Sequence, residues 1–239
     1  MRDLWFNSRA PGFPTKGMLL MTNFEKLLAA TENDFKAEIE QNPLIELVVG
    51  GKMKPEHYVS YLRETYHMVR HTSRMLSLAG ARLEDDYRKL RDWFFEQVQE
   101  ENNHDLFCIK DLRALGEDPD AVLAVPPKPG SWGLVSQNYY MATYGSPLGI
   151  LGVASLTEGL GAELGGAMAE ILKDTYGLKS NQVTFIHSHA GFDAKHIEEV
   201  KDAVDNLLIK ESDLDEVIQG RRMTIHYYSQ MFKDVLAAA

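Results

Sequence analysis

Apolar residues recur every three or four positions along most of the chain from Thr22 onward, which is the period of an amphipathic α-helix. The first helix carries this pattern at Phe24, Leu27, Leu28, Thr31, Phe35 and Ile39. The sequence contains no strand-like alternation of any length and no repeat at a fixed period. We therefore predict an all-α fold, a single bundle of seven to eight helices.

Proline, glycine and asparagine mark where these helices begin and end. Asn42 and Pro43 end the first helix, because the residue before a proline avoids the helical region. Gly116 stops a later helix, and residues 116–130, which hold four prolines, form the longest predicted loop. After a short helix at 44–49, the predicted helices have these approximate bounds: 55–83, 85–115, 131–144, 147–172, 180–208 and 212–236.

Charge and composition exclude several classes of function. A formal net charge of −10 and a pI near 5.3 argue against nucleic acid or a membrane surface as a partner. The single cysteine, Cys108, excludes an internal disulfide and fits a reducing cytoplasm. Residues 1–21 lack the apolar core of a secretory signal. We interpret them as an N-terminal extension and residues 22–239 as one helical domain.

A metal-binding face is predicted in the helix that begins near Ser180. His189, Asp193 and His196 follow one another at i,i+4 and i,i+3, so they project from one side of a helix. One carboxylate and two imidazoles suit iron, manganese or zinc. Three ligands alone do not decide which metal binds, or how many ions.

Two other helices offer partners for this face. Glu101 and His104 form a Glu-x-x-His pair, which helical bundles use to bind iron or manganese, although such a pair alone is weak evidence. Glu158 lies in an apolar helix with six glycines, which suggests close helix packing or a distortion beside a site. Glu158 is either a buried ligand or an exposed residue like Glu163 and Glu170, and the sequence pattern leaves both readings open.

The order of these motifs, Glu-x-x-His, a lone Glu about fifty residues later and then His-x-x-x-Asp-x-x-His, resembles the haem-oxygenase-like diiron oxidases and oxygenases. That superfamily shares its seven-helix bundle with haem oxygenase, thiaminase-II type proteins and pyrroloquinoline quinone synthase. The resemblance covers most of the chain from Thr22 onward, and the motif spacing is most similar to that of the fatty-acid decarboxylase that makes terminal alkenes. It implies two ferrous ions, O2 as co-substrate and six iron ligands: Glu101, His104, Glu158, His189, Asp193 and His196.

A polar stripe lies on the predicted helix at 55–83, where alkene-forming enzymes carry apolar residues and a carboxylate. The stripe consists of Glu64, His67, Arg70, His71 and Arg74. One reading is a solvated face with an ion pair. The functional reading is that Arg70 or Arg74 binds a substrate carboxylate, that Glu64 also contacts the substrate, and that His67 or His71 transfers protons. A third reading is that Glu64 or His71 is itself a metal ligand.

The leading hypothesis is an O2-dependent diiron enzyme acting on a small carboxylate-bearing substrate, such as an amino acid or its derivative. In the superfamily that chemistry includes N-oxygenation, C–C cleavage and rearrangement to a nitrile, as in a tryptophan-derived nitrile synthase. The alternatives are a fatty-acid decarboxylase and a non-catalytic helical bundle that binds a cofactor or partner. We also expect a homodimer and allow for an external electron donor. His57, His187 and His226 are interpreted as structural, and Cys108 lacks the neighbours that would mark a nucleophile.

Overall fold

The computed structural model describes residues 21–237, and every regular element in that range is a helix. In chain order the α-helices are α1 Asn23–Phe35, α2 Pro43–Val49, α3 Pro55–Val69, α4 Thr72–Arg82, α5 Arg88–Glu100, α6 Asp105–Leu115, α7 Pro119–Leu123, α8 Pro129–Thr143, α9 Gly149–Leu160, α10 Gly166–Tyr176, α11 Thr184–Asn206 and α12 Asp213–Leu236. The predicted all-α fold is confirmed. The predicted extension, apart from Met21, lies outside the described residues.

Two of the predicted helices are each divided into two. The helix predicted at 55–83 breaks at Arg70 and His71, between α3 and α4, and the one predicted at 85–115 breaks at residues 101–104. Asn103 adopts a left-handed conformation with φ of 69° in the second break, which asparagine tolerates better than most residues. The prediction of continuous helices was wrong here, because the apolar period continues on both sides of each break.

The C-terminal helix α12 packs against α8 and α9 along most of its length. Its inner face is fully buried at Val217, Ile225, Met231 and Val235. Glycine permits the close approach to α9: a Cβ atom on Gly220 would lie 2.1 Å from the carbonyl oxygen of Gly149. The close packing expected of the glycine-rich helix is therefore present.

Helix α9 also contains the local distortion that its glycines suggested. It passes into α10 through a π-helical turn, Gly161–Gly165, and such turns are frequent beside functional sites. Leu164 and Gly165 of this turn are buried. The turn packs against α11, the helix that carries the predicted metal face.

A buried carboxylate fixes the start of α11. Asp111 of α6 is fully buried and accepts hydrogen bonds from Thr184 N, Thr184 Oγ1 and Phe185 N at 2.9, 2.6 and 2.9 Å. It satisfies backbone N–H groups that the first turn of a helix leaves without partners. This contact ties α11 to α6, which begins directly after the break at 101–104. No helix in residues 21–237 combines the length and apolar character needed to cross a membrane.

Candidate metal centre

Helix α11 presents His189, Asp193 and His196 toward α5, α6 and α9. Asp193 and His196 are each 4% exposed, and His189 is partly buried. All three lie on one face of the helix, as the i,i+4 and i,i+3 spacing predicts. The predicted face is therefore turned into the bundle and away from solvent.

His196 lies at the middle of a group of carboxylates. Its Nδ1 is 3.2 Å from Glu158 Oε2 and 3.6 Å from Glu101 Oε1, and its Nε2 is 2.8 Å from Glu100 Oε2. Donor atoms of Glu101, Glu158 and His196 lie within 4.8 Å of one another. Hydrogen bonding and proximity to Glu158, followed by Glu101 and Glu100, raise the pKa of His196 to about 9.

The Glu101 and His104 side chains meet across the turn between α5 and α6. His104 Nδ1 lies 3.1 Å from Glu101 Oε2, although the two atoms do not meet hydrogen-bonding geometry and His104 Nδ1 has no hydrogen-bond partner. The pair was predicted on one continuous helix, and that geometry was wrong. The break instead brings both side chains to the cluster from a turn.

His189 completes the approach from α11. Its ring centroid is 4.9 Å from that of His104, and its Nδ1 lies 2.7 Å from the carbonyl oxygen of Phe185. A carbonyl only accepts, so this contact fixes the proton on Nδ1 and leaves Nε2 with a free lone pair. Burial lowers the pKa of His189, which favours the neutral imidazole that binds metals.

Asp193 faces Glu158 in the interior. Burial, followed by the proximity of Glu158 and Glu101, raises the pKa of Asp193 far above its usual range. Oδ1 of Asp193 has no hydrogen-bond partner, and Oδ2 lies where a Cβ atom on Gly161 would be, 1.5 Å from that position. The Asp193 side chain can therefore occupy this position only because residue 161, in the π-helical turn, is a glycine.

The six predicted ligands are connected by pairwise contacts, and three of them, Glu101, Glu158 and His196, have donor atoms that all lie within 4.8 Å of one another. The side chain of Glu158 is 16% exposed and points toward His196. Of the two readings that the sequence left open, Glu158 is therefore the inward-facing residue and does not lie on an exposed polar face. Whether the six residues bind metal stays a prediction, but the donor set fits one. Two buried ligand-type atoms, His104 Nδ1 and Asp193 Oδ1, lack partners. The three carboxyl groups of Glu101, Glu158 and Asp193 have one nearby cationic side chain, His196, and incomplete charge compensation in the interior is costly.

Glu100 belongs to this arrangement and was not identified from the sequence. Its Oε2 accepts the Nε2–H of His196, and its Oε1 lies 2.7 Å from Lys195 Nζ. A histidine that binds a metal through one nitrogen commonly donates its other N–H to a carboxylate. The adjacent pair Glu100-Glu101 was the available signal, because one of the two could serve this role.

A largely apolar cavity of about 230 Å³ adjoins the cluster. Glu101, Glu158, His189 and Asp193 form its polar end. The rest of its wall is mostly aliphatic and aromatic and includes Val48, Met68, Leu76, Val153, Leu164 and Phe232. A small molecule with a substantial apolar part would therefore lie directly against these four of the six residues.

The polar stripe on α3 and α4 lies outside this cavity, since none of its five residues lines the cavity wall. Glu64 is fully buried and accepts hydrogen bonds from Arg63 Nε and Lys128 N, both at 2.9 Å. His67 Nε2 lies 2.8 Å from Val125 O, and His71 Nδ1 lies 3.0 Å from Tyr139 OH.

Arg70 and Arg74 are exposed. The arginines expected to bind a substrate carboxylate and the histidines expected to transfer protons therefore do not line the cavity. Glu64 and His71, the alternative metal ligands, do not contact the six-residue cluster.

The remaining histidines and the cysteine lie apart from the six residues. His57 Nδ1 accepts a hydrogen bond from Lys54 N at the start of α3, His226 lies 3.4 Å from Glu38, and His187 is exposed. Cys108 is fully buried, and burial raises the pKa of its thiol well above the ordinary value. A thiol in this state is a poor nucleophile at neutral pH.

Comparison with known proteins now identifies the family. Residues 59–229 match a haem-oxygenase-type family described as iron-containing redox enzymes. The chain belongs to this family. The carboxylate and histidine cluster lies within the matched segment, so the iron-containing redox enzyme family and the candidate metal group agree.

Solved structures support the same fold. A domain of unknown function with a haem oxygenase-like fold from Shewanella denitrificans is 25% identical, covers 89% of this chain and 91% of its own, and gives a TM-score of 0.82. A TenA homologue from Pseudomonas syringae is 13% identical, with 95% and 100% coverage and a TM-score of 0.74. Haem oxygenase-2 from Synechocystis, solved with haem and NO, is 16% identical, with 90% and 85% coverage and a TM-score of 0.67. No curated protein matches the chain.

Proposed function

We propose that this family member is a non-haem diiron enzyme that uses O2 to oxidise a small, largely apolar substrate. One observation carries the proposal: three carboxylates and three imidazoles lie together inside the bundle, two of their buried atoms lack partners, and four of the six residues line an apolar cavity. A haem cofactor would not need three interior carboxylates. Six donors from three parts of the chain are typical of two-iron carboxylate sites in helical bundles.

Hydrogen bonds to neighbouring groups orient two of the predicted histidine ligands. Glu100 accepts the Nε2–H of His196 and so directs Nδ1 toward Glu101 and Glu158, while Phe185 O holds the His189 proton on Nδ1. Ligands must lose their protons when a metal binds, so the protons of His196 and Asp193 leave when iron enters. Iron held by these residues would activate O2, which is the oxidant, while the apolar wall keeps bulk water from the reacting carbon.

The cavity favours a substrate with an extended apolar part. The arginines that would have held an amino-acid carboxylate are exposed on α3 and α4, whereas the cavity wall offers neutral polar groups such as Gln97 and Asn138. Both expected substrate classes carry a carboxylate, but a free amino acid also carries an ammonium group that would need a polar partner. The mostly apolar wall therefore supports a fatty acid or similar aliphatic molecule. Cys108 is buried and outside the cavity wall, which argues against thiol chemistry of the thiaminase type.

Rapid mixing tests the proposal. Iron-loaded, anaerobically reduced protein is mixed with O2 alone or with saturated fatty acids of six to fourteen carbons, and with aromatic amino acids as the competing class. We expect an absorbance transient that forms faster with one of the fatty acids and is absent in Glu101→Ala. Protein that binds iron but reacts with O2 at the same rate whatever is added would contradict the substrate class, and protein without iron would contradict the enzyme.

A further inference from the structure

Two segments of this acidic chain contain no aspartate or glutamate. Residues 65–83 and 121–157 are free of both, and all 35 acidic residues lie elsewhere. The first segment contains the end of α3 and all of α4, and the second contains α8 and most of α9. If the two segments share one surface, that surface has no acidic side chains of its own in a protein with a net charge of −10.

The structure joins the two segments. His71 Nδ1 contacts Tyr139 OH at 3.0 Å, and Arg82 Nη1 donates to Met141 O and Gly145 O at 3.0 and 2.9 Å. Helices α4 and α8 are therefore linked near the beginning and at the end of α4. Their outer sides form one continuous face, which we call the α4–α8 face.

This face is cationic and aromatic. It exposes Arg70, Arg74 and Arg82, and among the described residues none of the three forms an ion pair with a carboxylate. Helix α8 adds Trp132 and Tyr140, and Tyr144 directly follows it; the three side chains are 65%, 63% and 80% exposed. The borders are acidic: Asp234 accepts from Gly130 N at the start of α8, and Glu84 and Asp85 follow α4.

We infer that the α4–α8 face docks an acidic electron-carrier protein; this rests on the proposed function, because an O2-dependent iron site needs electrons. Arginine, tryptophan and tyrosine are enriched in protein interfaces and lysine is depleted, and this face has that composition. Three arginines are too few for a nucleic acid or a membrane surface.

The position of the face suits electron delivery. Met75 and Leu76 on the inner side of α4 line the cavity, so a docked carrier lies about one helix diameter, roughly 10 Å, from it. Helix α8 spans about 22 Å at 1.5 Å per residue, so the contact fits the low end of interface sizes, where redox encounters are found. In each transfer the carrier would give one electron to a ferric ion held by the candidate ligands, and no covalent bond would change.

Calorimetric titration tests the docking directly. The probes are three acidic carriers: a plant-type [2Fe–2S] ferredoxin, a bacterial 2[4Fe–4S] ferredoxin and a flavodoxin. We expect at least one to bind, with an affinity that falls as salt rises, and Arg70→Glu/Arg74→Glu to weaken it about ten-fold or more at low salt. The matched control is Lys26→Glu/Lys52→Glu, an equal charge change at exposed positions outside the face, which should shift the affinity by less than about two-fold.

Tyr140→Ala/Tyr144→Ala is a second variant that leaves the charge unchanged, and it should also weaken binding. No binding by any of the three carriers, or equal weakening in the lysine control, would overturn the inference. So would a dimer that the arginine variant dissociates in sedimentation velocity, because the face would then bind a second copy. Iron content and O2 uptake with a chemical reductant are measured in parallel, so failure of docking is distinguishable from failure of the proposed function.

Discussion

The candidate metal centre and the polar stripe on α3 and α4 look alike in sequence but differ in how many of their polar atoms have hydrogen-bond partners. Each has histidines and charged residues at helical spacing. In the stripe, Glu64, His67 and His71 each contact a backbone or hydroxyl group. In the centre, His104 Nδ1 and Asp193 Oδ1 are buried without partners, and several carboxylates converge on one imidazole.

Buried atoms without partners also occur outside the candidate centre, at Thr65, Trp93, Ser131 and Gln137. What distinguishes the candidate centre is that its two are an imidazole nitrogen and a carboxylate oxygen beside other ligand-type groups. A buried polar group without a partner costs free energy unless something absent from the protein satisfies it. Charged residues with complete local partners need no ligand. The following predictions test this distinction.

The largest expected effect is on iron binding. Glu101→Ala or His196→Ala removes a ligand from the cluster and should lower iron affinity by about two orders of magnitude or more. His67→Ala removes a buried histidine of the stripe and should leave the iron content unchanged. Iron per chain after anaerobic loading and desalting measures both. Equal iron loss in His67→Ala and His196→Ala would remove the distinction between the two regions.

Gly161→Ala should weaken iron binding although it replaces none of the six predicted ligands. The added Cβ would lie 1.5 Å from Asp193 Oδ2, so Asp193 or the π-helical turn must move, at a cost of about 1–3 kcal/mol. We expect lower unfolding stability together with weaker iron binding. Gly166→Ala is the matched control because nothing lies within 4 Å of its Cβ position. If both variants bind iron as the parent does, Gly161 does not position Asp193.

The metal-free protein should lose stability as the pH rises. The pKa of His196 is raised to about 9 in the folded state, and that of Asp193 is raised as well. Their stabilisation is therefore present below the unfolded pKa and is lost as the pH rises through the folded value, by up to about 3 kcal/mol for His196. Urea unfolding at pH 6.5 and 9.5 measures the decrease. His196→Gln should flatten it; an unchanged slope would show that the cluster is not its source.

The smallest expected effect comes from the stripe. Tyr139→Phe removes the hydroxyl that contacts His71 and should cost about 0.5–1.5 kcal/mol of unfolding stability. Iron content and O2 reactivity should not change. A loss of iron in this variant would mean that the stripe supports the centre after all.

The sequence predicted the all-α class because helical periodicity is strong and continuous. It did not reveal the breaks at Arg70–His71 and at 101–104, since the apolar pattern runs through both. The second break was foreshadowed by Asn102-Asn103, because asparagine accepts the left-handed conformation that ends a helix. The glycines of α9 did predict a distortion, which is the π-helical turn beside Asp193.

The six residues of the candidate centre were proposed together because the order and spacing of their motifs resemble those of a known superfamily, although each motif alone was weak evidence. Their surroundings could not be predicted, since they depend on tertiary contacts. The role of Glu100 depends on its contact with His196, which the sequence alone does not show. Arg70 and Arg74 were expected to bind substrate because the sequence does not show which side of α3 and α4 faces the cavity. Because α8 lies beside α4, the same arginines instead form part of the α4–α8 face.

Mössbauer spectroscopy of protein loaded anaerobically with ⁵⁷Fe²⁺ tests the central claim most directly. The account predicts up to two high-spin ferrous ions per chain, both lost in Glu158→Ala/His196→Ala, with the fold retained by circular dichroism. A parent protein that keeps less than one iron per chain, or a double variant that keeps as much iron as the parent, would contradict the assignment of Glu101, His104, Glu158, His189, Asp193 and His196 as the metal centre.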